Sequence, residues 1–384
     1  MQGMPDKLSN NQPSNLKKKS NSNSSPTPCP ASIDLSSDSN LWLICFSLAI
    51  IAILFSQEIS DYIYANDEAH ILKHQSSLRT PNISAWSVVP MSSRGGGYGV
   101  IANRDIHPGE LIMKEAPLVR IQTTHSSVDK ANRRIYQIIQ GLSGEDRSRF
   151  LSLSNAWENA DNQANLLSKY TGILQTNGIS AGVGFTAIFP SIARLNHACV
   201  GAVNALSNWR LNERVQVVHV TKRIRAGEEI FLPYFDSKLP REDRQTLLLQ
   251  AYRFNCTCAV CSLDEHKSKE SDSRITRINS LKATLSAWSA RSIGGGEAIR
   301  LIESAIKLMH EEGMTYEFGQ LYADAAHIAS AHSDFQSSKR YALLAAQHFT
   351  IEIGPDSIEV AVAKKIAKNP TSSNVWATRT QETI

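Results

Sequence analysis

Three cysteines within six residues, Cys256, Cys258 and Cys261 in the run CTCAVC, constrain this chain more than any other feature. Thiols separated by one or two residues are too close for disulfides with one another, and a secreted disulfide scaffold spreads its cysteines along a short chain. So dense a cluster suits a metal bound in a reducing compartment, with zinc the leading candidate; three buried free cysteines are the plainer alternative. A tetrahedral zinc needs a fourth ligand from outside the run. The remaining cysteines stand at 29, 45 and 199.

The composition places the rest of the chain. With 384 residues, 42% apolar and 20% charged, there is room for two core-forming units plus extensions. The net charge of +4 is spread over both signs, so no direct nucleic-acid binding is expected. Residues 1–40 are rich in Ser, Asn and Pro, carry the basic run Lys17, Lys18 and Lys19, and are expected to stay disordered. Residues 41–60 are expected to form a transmembrane or signal-anchor segment. Their apolar part, LWLICFSLAIIAILFS (41–56), lies in a stretch without charge between Asp38 and Glu58, just long enough to cross a bilayer. The flanking charges would leave the N-terminus in the cytosol. The same stretch also fits a buried core helix or a misplaced start.

Ordered structure is expected from Trp86. Residues 86–119 read as a small antiparallel meander, with a glycine cluster (Gly95, Gly96, Gly97, Gly99) that permits positive φ and close approach to a ligand, or else forms a mobile hairpin tip. Between 126 and 180, Ile135, Ile138, Ile139 and Leu142, then Trp157, Ala160, Ala164 and Leu167, fall at helical spacing around SGED (143–146). Val215, Val217, Val218 and Val220 suit a strand, and RAGEEI suits a turn into a shorter one. The polar stretch at 264–274 reads as a linker, three amphipathic helices of similar length follow within 275–365, and 370–384 is expected to be disordered.

Four motifs then occur in order: GYG at 97–99 followed by IANRDIHPGE, RLNHAC at 194–199, GEEIFLPY at 227–234 and YRFNCTCAVC at 252–261. In order and character they resemble the SET-domain protein-lysine methyltransferases, most of all the fungal members and the SET-and-MYND group. The resemblance spans roughly 86–262; with no cysteine in 116–180, the MYND finger is absent. It implies an α+β fold: a β-clip of small sheets with a pseudoknot over 86–236, helices inserted at about 120–180, and a post-SET zinc segment at 237–262. It implies methyl transfer from S-adenosylmethionine to a lysine of a protein substrate, histone or non-histone. Separately, the helices at 275–365 resemble tetratricopeptide helix pairs, with plain packing against the rest of the chain as the alternative.

Roles carry over residue by residue. Gly97, Tyr98 and Gly99 would let the backbone approach the methionine end of the cofactor, and Asn196 and His197 would hold its adenine and methionine parts. Tyr234 would border the transfer site as the catalytic residue, Tyr252 would wall the lysine channel, and Phe254 would lie against the adenine. Cys199 would join Cys256, Cys258 and Cys261 around a structural zinc. A satisfied buried histidine and ordinary packing aromatics are the plainer readings of His197, Tyr234, Tyr252 and Phe254 taken singly.

The chain departs from the family after the Asn-His pair. Ala198 stands for the usual serine, and VGAVNA replaces Pro-Asn, with Asn204 two places late. A weakly active or inactive SET-type interaction module, tethered by the N-terminal segment and binding a partner through the C-terminal helices, is therefore the alternative function. A membrane-crossing topology would also remove the domain from the cytosolic cofactor pool; a cytoplasmic or nuclear location is the other expectation. The substrate lysine and the number of methyl groups are not legible from one sequence.

Overall fold

The computed structural model describes residues 85–91, 96–123, 128–158 and 166–384. The polar leader 1–40, the apolar segment 41–60, Cys29, Cys45 and Gly95 lie outside the described residues. Among those described, no helix is long and apolar enough to cross a membrane.

Short strands build the first part. β1 (Trp86–Pro90) and β2 (Tyr98–Ala102) pair antiparallel. β3 (Leu111–Glu115) does not continue them as a meander. It pairs with β9 (Val215–Val220), whose other edge holds β8 (Ala205–Arg210), all antiparallel. The reason is that the free edge of β2 is occupied by a later segment: Ala102 N–H donates to Glu228 O at 2.9 Å and Ile230 N–H to Val100 O at 2.8 Å. β9 is buried along its whole length, because β3 and β8 flank it and both of its faces are covered. A third sheet orders β4 (Val119–Gln122), β6 (Phe185–Ile188) and β5 (Ile179–Ser180). Finally β7 (Asn196–His197) lies parallel to β10 (Phe231–Leu232).

Helices interrupt the strands between β4 and β5: α1 (Val128–Gly141), α2 (Gly144–Leu151) and α3 (Leu166–Asn177). Ser143 caps α2, its hydroxyl accepting from Asp146 N–H at 3.1 Å. Ile135, Ile139, Phe150, Tyr170 and Ile173 form their core against β4. Trp157, expected at helical spacing, instead sits in a turn before α3.

The C-terminal part is helical: α4 (Arg241–Tyr252), α5 (Glu265–Thr284), α6 (Ser286–Ser289), α7 (Gly295–Glu311), α8 (Phe318–Ala331), α9 (Phe335–Ile353) and α10 (Ile358–Lys368). The expected linker at 264–274 is thus the first half of α5. Asp264 caps it, and Ser268, Ser271, Ile275, Ile278 and Leu281 are its buried positions. Serines at two core positions hid the periodicity; Ser271 is satisfied by a hydrogen bond to the buried Glu312. The expected disordered tail is likewise ordered. Ala377, Arg379 and Glu382 donate backbone N–H groups to the carbonyls of Ser330, Ala331 and His332, which the end of α8 leaves without helical partners. The Glu382 carboxylate accepts from Gly295 and Gly296 N–H at the start of α7, at 2.9 and 2.8 Å.

One hydrophobic core runs from Cys199, Val200 and Val203 through Ile275, Ile302 and Leu321 into the helices. Asn208 Nδ2 donates to Glu352 O at 3.1 Å, and Arg210 pairs with Asp356 at 2.7 Å. Lys238, buried, pairs with Asp236 and Glu317.

Candidate active site

The three-residue segment Leu195–His197 is the hinge point of the site, with a glycine loop on one side and a cleft on the other. On the loop side, Asn196 Nδ2 donates to Tyr98 O at 3.1 Å and to Glu229 Oε1 at 2.8 Å. Both amide hydrogens are thereby used, so the side chain offers a ligand its carbonyl oxygen. Gly99 makes this approach feasible: a Cβ there would stand 2.9 Å from Asn196 Nδ2 and 2.8 Å from Glu229 Oε1. Gly96 and Gly97 have φ of +104° and +84°, which only glycine adopts readily. Tyr98 is 51% exposed, with the Arg194 guanidinium 5.1 Å from its ring centre.

His197 is buried, and its pKa is lowered to about 4 because burial penalises the charged form. Its Nδ1 accepts from Tyr234 N–H at 3.1 Å, which leaves the proton on Nε2, 3.4 Å from Cys199 Sγ. Aromatic rings surround it: Phe235 is stacked at 5.4 Å, Tyr234 lies at 5.2 Å and Phe254 at 6.4 Å. Tyr252 packs 5.1 Å from Tyr234.

On the cleft side, Leu195, Leu232, Pro233, Tyr234 and Tyr252 help line a cavity of about 580 Å³. The Tyr234 hydroxyl donates to Leu195 O at 3.0 Å, and burial raises its pKa well above the ordinary phenol range. At neutral pH it is a protonated phenol, a donor with lone pairs to spare and not a base.

Cys199, Cys256, Cys258 and Cys261 are all buried, with their sulfurs within 4.8 Å of one another. A tetrahedral ion with zinc–sulfur bonds of about 2.3 Å sets its sulfurs about 3.8 Å apart, so the four residues fit zinc. Hydrogen bonds among the thiols push Cys199 up and pull Cys258 down in pKa. Arg244 on α4 is 0% exposed beside this cluster; its Nη1 donates to Leu239 O and pairs with Asp272 at 3.5 Å, and against the penalty of burial Cys199 and Cys261 also favour its charge, while its Nε and Nη2 have no nitrogen or oxygen partner among the described residues. Such a cation offsets part of the net negative charge of a four-thiolate zinc centre.

Of the residues singled out from the sequence, Tyr98, Gly99 and Asn196 meet at one point, His197, Tyr234, Tyr252 and Phe254 at a second, and the four cysteines at a third. Gly97 is exposed on the loop tip and touches none of the others. Sequence reading missed Glu229, Phe235, Arg244 and the structural use of Asn204. Glu229 and Phe235 stand inside or beside the GEEIFLPY motif, which was the available signal; Arg244 has none. Asn204 Nδ2 donates to Glu229 O at 2.8 Å and its Oδ1 accepts from Phe231 N–H at 2.7 Å, which ties the shifted loop to β10. Gly201, in the same loop at φ +86°, lies so close to the helical region that a Cβ would be 2.6 Å from Glu312 O.

A family model described as "SET domain" matches residues 97–235. The chain is 27% identical over 292 residues to "Histone-lysine N-methyltransferase set5" of Schizosaccharomyces pombe, covering 75% of this chain and 85% of that protein. To "N-lysine methyltransferase SMYD2" of Gallus gallus it is 28% identical over 200 residues, covering 50% of this chain and 42% of the relative. Among solved structures, the SET domain of LSMT bound to lysine and AdoHcy overlays at TM-score 0.33 and 10% identity, covering 80% of this chain and 92% of that one.

Proposed function

For this chain, which carries a SET domain of the SMYD-like lysine-methyltransferase type over residues 97–235, we propose methyl transfer from S-adenosylmethionine to a lysine side chain of a protein substrate. The observation that carries this reading is the segment Leu195–His197. It presents Asn196 to the glycine loop on one side and, through Leu195 O, holds the Tyr234 hydroxyl at the cleft on the other.

When bound, the cofactor supplies a methyl group that its sulfonium already makes electrophilic. The chain therefore has to align an uncharged amine. Tyr234, Tyr252, Leu232 and Pro233 form an aromatic and apolar wall, which disfavours an ammonium whose ordinary pKa is about 10.4. The substrate lysine loses its proton to solvent before it enters. The Tyr234 oxygen, fixed by its bond to Leu195 O, accepts from the amine N–H and points the nitrogen lone pair along the channel. Asn196 Oδ1 and the loop backbone at 97–99 receive the cofactor.

Cys199, Cys256, Cys258 and Cys261 would hold zinc, whose contribution would be structural, fastening the 256–261 loop to the Asn-His segment. Tyr252 and Phe254 lie just before that loop and are thereby positioned. The altered sequence after His197 does not favour the interaction-module reading, because its residues serve as the seam with the helices, with Gly201 against Glu312 and Asn204 on β10.

Calorimetry of S-adenosylmethionine with the full chain, paired with zinc analysis of the same sample, tests the reading. Micromolar binding that Asn196→Ala weakens at least about tenfold, a loss of about 1.4 kcal/mol, is expected. A folded, zinc-loaded chain that takes up no cofactor would overturn it.

A further inference from the structure

Two residues that line the cleft with Tyr234 each carry a buried polar atom without a hydrogen-bond partner among the described residues. Trp209 on β8 and Gln216 on β9 are direct cross-strand partners, so both side chains leave the sheet on the same face. Both residues line the cleft, together with Ser207, which lies on that face two residues before Trp209. Trp209 Nε1, a donor, and Gln216 Oε1, an acceptor, are buried with no hydrogen-bond partner among the described residues. Gln216 is 2% exposed.

Burying a donor and an acceptor unpaired costs about 1–3 kcal/mol each, so native proteins give such atoms a partner, in protein, in water or in a ligand. The pair is also held in place. Phe189 packs 6.1 Å from the Trp209 ring, and the Arg120 guanidinium lies 5.5 Å from its centre. Gly182, at φ +98°, packs against the indole: the Cβ it lacks would stand 3.4 Å from Trp209 Nε1.

Resting on the methyltransferase reading, we propose that Trp209 and Gln216 form a specificity subsite for a carboxamide of the substrate, an Asn or Gln side chain close in sequence to the target lysine. A carboxamide carries one carbonyl acceptor and an NH2 donor, the complement of an indole N–H and an amide oxygen carried by directly paired strand positions. A leucine or methionine at that place would leave both buried atoms unpaired. A carboxylate brings no donor for the Gln216 oxygen, and an ammonium brings no acceptor for the Trp209 N–H. A side chain is the source, because Gln216 is only 2% exposed and a side chain reaches further from a bound peptide than its main chain does.

The test uses the full chain and short lysine-centred peptides in which each flanking position carries Asn or Gln, the near-isosteric Leu or Met, or Asp. Binding is read by fluorescence anisotropy and methyl transfer by kcat/KM. At one flanking position the amide should be favoured over its isostere by at least about tenfold, since a site built for hydrogen bonds rejects the analogue that lacks them. Gln216→Leu and Trp209→Phe should each abolish that preference and leave S-adenosylmethionine affinity unchanged. The inference is overturned if no flanking position shows an amide preference, if a preference survives both substitutions, or if only replacement of a backbone amide by an ester weakens binding. Its failure is separable from failure of the function: amide-dependent peptide binding without methyl transfer sinks the activity and keeps the subsite, and transfer without amide preference does the reverse.

Discussion

Gly99→Ala isolates the contact that joins the glycine loop to the Asn-His segment. Gly99 has an ordinary negative-φ strand conformation, so alanine meets no backbone strain there. Its methyl group would, however, sit 2.7 Å from Met91 Cε, 2.8 Å from Glu229 Oε1 and 2.9 Å from Asn196 Nδ2. The methionine end can swing aside. The Asn196–Glu229 pair, bonded at 2.8 Å, cannot keep both its hydrogen bond and its place. A hydrogen bond to a charged group contributes about 1.5–3 kcal/mol, and a loss of about 2 kcal/mol corresponds to about 30-fold in affinity. S-adenosylmethionine titrated into Gly99→Ala should therefore bind about 30-fold more weakly, while the melting temperature falls by only a few degrees, since in a chain of this size about 1 kcal/mol shifts it by only about 2–4 °C. Asn196→Ala should weaken binding similarly, and the double variant should lose little more than either single one, since both act through one group. Unchanged affinity in Gly99→Ala, or full additivity in the double variant, would refute the reasoning.

Three further outcomes are expected. Gly201→Ala should destabilise the chain by about 2 kcal/mol in denaturant melts, from positive φ together with a Cβ 2.6 Å from Glu312 O; Gly227→Ala, at φ +85° in open space, should cost only about 1 kcal/mol. Stripping zinc with a chelator, or Cys256→Ser, should lower the melting temperature and abolish cofactor binding together, and Arg244→Leu should weaken zinc retention in chelator competition by about tenfold through loss of its charge and hydrogen bonds, as loss of an outer-shell partner does. Burial raises the Glu352 pKa to about 7 although Gly319 N–H donates to it. The folded state then binds the proton more tightly than the unfolded one, so this stability is present below the ordinary carboxylate range and is lost as pH rises through about 7; Glu352→Gln should flatten the melting temperature against pH over that interval, and a slope unchanged in the variant would count against it.

Local rules made much of the chain legible. Dense cysteines at 256–261 point to a metal because thiol chemistry depends on spacing, and the β-branched valines at 215–220 point to a strand because they suit the pleated backbone. The α7, α8 and α9 helices show themselves by apolar residues three and four apart. Where small polar residues occupy core positions the same rules fail: α5 buries Ser268 and Ser271, and the tail at 370–384 is ordered by backbone bonds to helix ends that no side-chain pattern reveals.

The site divides in the same way. The sequence by itself determined which residue types were present and in what order: a glycine loop, an Asn-His pair, a tyrosine and a cysteine run. Only the tertiary structure decided their partners. Cys199 meets Cys261 across 62 residues, Asn196 meets Glu229 across 33 and Tyr98 O across 98. Arg244 is committed to the thiol cluster by a helix that reads as ordinary surface, and Trp209 faces Gln216 because a hairpin register puts them opposite one another. The physical reason is range: propensity and periodicity act over one or two turns of chain, whereas a hydrogen bond, a metal centre or a buried charge is satisfied by whatever the fold brings within about 3 Å.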